Sequence, residues 1–124
     1  MAILREIVFD CDHPAALARF WAAVLTGYAV RAYDAAEIAR LAALGFTPET
    51  DPVVMVDGPG ACLCFQKRPA AARKGPIHLD LVGGPLANEV ARIQALGGRL
   101  AEQRGGYAVM TDPEGNRFCV QAPR

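Results

Sequence analysis

The residues best suited to chemistry are His78, Asp80, Cys64 and Cys119, all on short β-patterned runs. His78 and Asp80 stand two apart in Ile77–Val82 (IHLDLV), so they share one face of a strand. Such a pair either orients a general base or forms a satisfied polar pair within a sheet. Both residues are therefore candidate catalytic groups, with the structural or ligand-orienting role the plainer reading. Cys64 and Cys119 alternate with apolar neighbours, as small buried fillers do. A reactive thiol in either place would need a nearby cation to lower its pKa. Gln66 and Gln121 lie two residues beyond the cysteines on the same strand faces, where they offer hydrogen bonds to a ligand or meet solvent. Tyr107 opens a strand after Gly105-Gly106 and is placed to line a pocket. No phosphate-cradling glycine loop and no Ser-His-Asp constellation is present.

These residues are positioned by a repeat. Val54–Gln66 (VMVDGPGACLCFQ) aligns without a gap on Val109–Gln121 (VMTDPEGNRFCVQ) at an offset of 55, with six of thirteen positions identical. Each stretch reads as strand, tight turn, strand, and Asp112-Pro113 with Gly115 and Asn116 supplies the turn chemistry. Asp57 and Gly60 serve the same turn in the first copy. The chain is thus expected to be two copies of one supersecondary unit.

Around the hairpins, Ile3–Phe9 reads as a strand and Ala15–Leu25 as an amphipathic helix, with Leu17, Phe20, Trp21, Val24 and Leu25 on one face. Asp12 is the expected N-cap, with Pro14 in the first turn. Tyr28–Tyr33 is an expected strand and Asp34–Phe46 a second helix, with Ile38, Leu41, Ala42 and Leu44 apolar. Lys67–Pro76 has the composition of an exposed linker. Ile77–Val82 is then a strand, Pro85–Leu96 a helix, and Arg99–Gln103, Tyr107–Thr111 and Arg117–Gln121 are strands. Each half reads βαβββ. The modules span about 1–68, with an inserted helix near 34–46, and about 76–124, which makes the fold class α+β.

Composition excludes several roles. The 124 residues are enough for one domain with a real core. Thirteen basic residues balance thirteen acidic ones, and no Lys/Arg cluster interleaves with aromatics, so no nucleic-acid partner is expected. No window approaches the roughly 18 apolar residues of a membrane span, and the N-terminus lacks a signal-peptide core. A cytoplasmic protein with reduced thiols at Cys11, Cys62, Cys64 and Cys119 is the expectation.

Asp12-His13-Pro14 with Phe20-Trp21, the segment Gly75–Leu81 (GPIHLDL) and Asp112–Asn116 (DPEGN) resemble the vicinal oxygen chelate superfamily. The match is most similar to its glyoxalase-like domain branch, and it covers essentially the whole chain. The resemblance implies tandem βαβββ modules forming a curved mixed sheet around a cavity. It also implies a metal ligand from the first and last strand of each module. Those positions fall on Arg5, Cys64, His78 and Cys119, where metal-dependent relatives carry His or Glu. A hard divalent ion prefers carboxylate and imidazole, and a guanidinium at Arg5 would oppose a second positive charge. No cofactor is therefore expected, a divalent metal being the less favoured alternative. The implied function is binding of a small organic molecule between the modules, by Arg5, Cys64, Gln66, His78, Tyr107, Cys119 and Gln121. The alternatives are a lyase, isomerase or dioxygenase relative using His78, with or without a metal, and a structural or regulatory dimer module. Relatives pair across a two-fold axis, which implies a homodimer.

Overall fold

A computed structural model describes residues 1, 4–68 and 79–123 of the chain. The chain divides into two compact units, Met1–Ala72 and Arg73–Arg124, and the division falls in the stretch with linker composition. His78 and most of that linker lie outside the described residues.

In the first unit, β1 (Glu6–Cys11), α1 (Pro14–Val24), β2 (Ala29–Val30), α2 (Ala35–Ala43), β3 (Val53–Asp57) and β4 (Cys62–Lys67) build a four-stranded mixed sheet of order β1-β4-β3-β2. β1 runs parallel to β4, and β3 is antiparallel to both β4 and β2. Strand alternation puts Ile7, Phe9, Leu63, Phe65, Val54 and Val56 on one face, and α1 lies on it, packed against β3 and β4. Leu17, Trp21 and Val24 of α1 are buried there, as their spacing requires. The Phe9 ring stacks on Phe65 at 5.0 Å and on Trp21 at 6.1 Å between centroids. Aromatic stacking of this kind adds about 1 kcal/mol per pair to the area buried.

The second unit repeats the plan. β5 (Leu79–Val82), α3 (Leu86–Ala95), β6 (Arg99–Gln103), β7 (Tyr107–Thr111) and β8 (Arg117–Gln121) form a sheet of order β5-β8-β7-β6. Val90 and Ile93 of α3 are buried, as are Ala108, Met110, Phe118 and Val120 on the matching sheet face. Among the described residues, two four-stranded mixed sheets with three helices make an α+β fold.

Several elements differ from expectation for local reasons. β1 runs over Glu6–Cys11 rather than Ile3–Phe9, because its residues pair one for one with β4 from Cys62 to Lys67. Helix α1 starts at Pro14 with His13 as its cap residue, and no side chain caps it. Asp12 instead faces Arg68, with Oδ1 3.2 Å from Nε, and its carbonyl accepts from Lys67 Nζ. Only Ala29–Val30 of the expected second strand is paired as strand, although the Arg31 amide still donates to the Met55 carbonyl. In α2 only Leu41 is buried, and Ile38 and Leu44 face solvent. Asp34 caps α2 by accepting from the Glu37 amide, which closes the first turn.

Candidate ligand-binding faces

In each unit one sheet face carries the helix and the other carries the chemistry. On the helix-free face of the first sheet, strand register aligns Glu6 with Cys62, Val8 with Cys64 and Asp10 with Gln66. Met55 is the cross-strand partner of Cys64 on the other side. On the second sheet, Asp80 pairs with Cys119, Val82 with Gln121, and Tyr107 with Gln121. The structure therefore brings Asp80, Tyr107, Cys119 and Gln121 onto one face of the second unit. Cys64 and Gln66 occupy the counterpart face of the first, where Gln66 Nε2 donates to Asp10 Oδ1 at 3.2 Å. A cavity of about 450 Å3 is lined by Asp80, Val82 and Gln121 together with Leu81 and Ala122.

Arg5 does not reach the position assigned to it. It is exposed and precedes β1. Cys64 and Cys119 are counterparts in the repeat, and they pair with Val8 and Asp80 respectively. In the sequence Glu6 stands two residues before Val8, and His78, which lies outside the described residues, stands two before Asp80. By that count the first-strand position falls on Glu6, a carboxylate, rather than on Arg5.

The thiols bear on metal binding more directly. Cys64 is 4% exposed. Burial pushes its thiol above the usual cysteine value, and Glu6 raises it further. Burial also raises Cys119, with Asp80 adding to the shift. Both shifts favour the protonated thiols, so a metal ion would have to displace their protons to bind there. A hard divalent ion wants several oxygen donors, and a cysteine at either last-strand position supplies none. All four cysteines are free thiols. Among the described residues no three His, Cys, Asp or Glu side chains converge closely enough to hold a metal ion, and no helix is long and apolar enough to cross a membrane.

Sequence reasoning missed a cluster beside the first sheet. Arg31 donates from Nε and Nη2 to both oxygens of Asp57, at 2.8 and 2.7 Å. The Cys62 thiol donates to Asp57 Oδ1 at 3.4 Å. Tyr33 donates its hydroxyl to buried Asp51 at 2.7 Å. A cavity of about 490 Å3 lies beside these groups, lined by Arg31, Tyr33, Arg40, Asp51, Val53 and Met55 among others. The sequence signal was a departure inside the repeat. Asp112 is 1% exposed and accepts from the amides of Glu114 and Asn116 and from Asn116 Nδ2. The counterpart of Asn116 is Ala61, so Asp57 has no such side chain to hold.

The chain matches the family model of the glyoxalase-like domain over residues 6–121. Its fold is similar to a glyoxalase/bleomycin resistance protein/dioxygenase family enzyme from Burkholderia phytofirmans PsJN, at 17% identity and TM-score 0.71, covering 98% of each chain. It is also similar to a fosfomycin resistance protein from Listeria monocytogenes, solved with Mn(II) and dihydroxypropylphosphonic acid. That match has 13% identity and TM-score 0.67, covering 100% of this chain and 92% of that one. Lactoylglutathione lyase from Agrobacterium tumefaciens aligns at 15% identity and TM-score 0.58, covering 98% and 94%. No sequence among curated proteins matches the chain.

Proposed function

The chain belongs to the glyoxalase-like domain family, and from that premise we propose that it binds a small organic molecule without a resident divalent ion. The observation that carries this reading is a cavity of about 450 Å3 at the β5 side of the second sheet, lined by Asp80, Val82 and Gln121; the sheet face that holds these three residues also carries Cys119 and Tyr107. That volume suits a small ligand. Val82 and Tyr107 supply apolar surface, being 69% and 39% exposed, while Gln121 and Asp80 supply a donor and acceptors. The metal-free form rests on the donor set, because the last-strand positions carry cysteine, whose soft sulfur suits a hard divalent ion poorly.

A thermal-shift screen of small aromatic and dicarbonyl compounds tests the reading. A ligand at ten times its Kd stabilises the native state by about 1.4 kcal/mol, or roughly 5 °C for a chain of this size. Gln121→Ala and His78→Ala should each shrink that shift. A panel that never moves the melting temperature would leave the chain as a structural module.

A further inference from the structure

The inserted helix gives the first unit a cavity that the repeat does not require. After Val30 the chain runs past the sheet edge into α2, and the second unit has no helix at this place. Ala36, Glu37 and Arg40 lie on one face of α2 and form one wall. Val53 and Met55, alternate residues of β3, form the opposite wall. Ala32 and Ala36 are small, which leaves the space between the walls open.

The polar groups in this cavity are not equivalent. Asp34 is committed to capping α2. Asp51 is 5% exposed and accepts from the Tyr33 hydroxyl and the Val53 amide. Burial, and then the bond to Asp51, push the Tyr33 phenol well above its usual value, so it remains a donor. The arginines are different. Arg31 spends Nε and Nη2 on Asp57, and Arg40 spends Nε and Nη2 on Glu37. Neither Nη1 makes a hydrogen bond among the described residues, and each guanidinium is held in a fixed plane by its carboxylate. The N-terminal end of α2 adds partial positive charge.

The release of Asp57 from its turn is what makes Arg31 available in this form. In place of an Asn116 equivalent, the first turn is closed by Tyr28, whose hydroxyl donates to the Ala61 carbonyl. The Tyr28 ring lies against Gly58, so close that a Cβ there would stand 2.4 Å from it. With the turn held by Tyr28, the Asp57 carboxylate turns to the sheet face and orients Arg31.

We propose that the cavity between α2 and the edge of the first sheet binds a small organic carboxylate. Arg31 and Arg40 would grip its carboxylate, and its apolar body would lie on Val53 and Met55. Each arginine keeps its Nη1 donors for the ligand, and charge-assisted N–H bonds to a carboxylate are stronger than neutral ones.

Isothermal titration of the full chain with benzoate, benzyl alcohol and benzylamine tests the proposal. Benzoate is expected to bind, with benzyl alcohol and benzylamine at least about tenfold weaker, the worth of one charge-assisted pair. Arg31→Met and Arg40→Met are each expected to weaken benzoate about tenfold. Arg92→Met on α3, which removes the same charge from another ion pair, should leave binding unchanged. Arg31 and Arg40 side chains are each 56% exposed, so the variants should fold, as unchanged circular dichroism would verify. Benzylamine binding as tightly as benzoate would overturn the proposal. So would benzoate binding that ignores both substitutions, or no benzoate binding at millimolar concentration.

Discussion

Position 116 carries asparagine and its repeat counterpart carries alanine, and that difference decides how two equivalent aspartates act. Asp112 is sealed in its turn, accepting hydrogen bonds from two backbone amides and the Asn116 side chain. Removing it leaves several buried donors without a partner, so Asp112→Ala should cost about 3 kcal/mol in urea unfolding. Asp57 sits at the surface in an ion pair with Arg31, whose members are 50% and 56% exposed. Solvent screening limits such a pair, and Asp57→Ala should cost less than about 1 kcal/mol. Equal losses from the two substitutions would refute the division of labour. The cysteines make a separate prediction. Burial raises the thiols of Cys62, Cys64 and Cys119, so the folded state favours their protonated forms. A raised folded pKa gives stability that is complete below the unfolded value, near 8.5, and is lost as pH climbs through the folded value. Unfolding free energy should therefore decline above about pH 8.5, and less steeply in Cys64→Ala. Iodoacetamide at pH 7.5 should modify the native thiols more slowly than the urea-unfolded ones.

At the scale of elements, the two turns solve one problem by different means. The second turn uses Asp112 with Gly115, whose φ of 83° only glycine adopts readily. The first relies on the Tyr28 ring against Gly58, where an added Cβ would lie 2.4–2.6 Å from three ring atoms. Gly58→Ala should push the ring aside and cost about 1–3 kcal/mol, read as a lower urea midpoint with an unchanged slope. Tyr28→Ala should make Gly58→Ala nearly harmless, because the clash is then gone. The repeated hairpins, the α1 core stripe and the glycine after each helix were legible because period and turn chemistry are local. Element phase was harder. Nothing within Ile3–Phe9 distinguishes the paired residues from the ones before them, and only the ladder to β4 fixes Glu6 rather than Arg5 as the site position. The α2 cavity was illegible for another reason. The sequence shows an extra helix, while the space beside it depends on how far the chain runs past the sheet edge.

For the whole molecule, duplication fixes the fold and leaves the chemistry free to change. Apart from α2 the described elements of the two units follow the same order and ladder register, with cysteine at the last-strand position in both, while by sequence count Glu6 corresponds to His78. A similar fold in the Listeria protein holds Mn(II), but identity of 13% carries the backbone and not the donor set. A hard ion bound at either cysteine would have to displace a proton that burial favours, and it would gain a soft ligand in return. Elemental analysis of protein purified without chelator should accordingly find Mn, Ni, Fe and Zn each well below one equivalent. EDTA should not lower the melting temperature, and added Mn(II) or Zn(II) should not raise it, since an ion selective for the native state must stabilise it. Stoichiometric metal, or a clear loss of stability with EDTA, would overturn the metal-free reading.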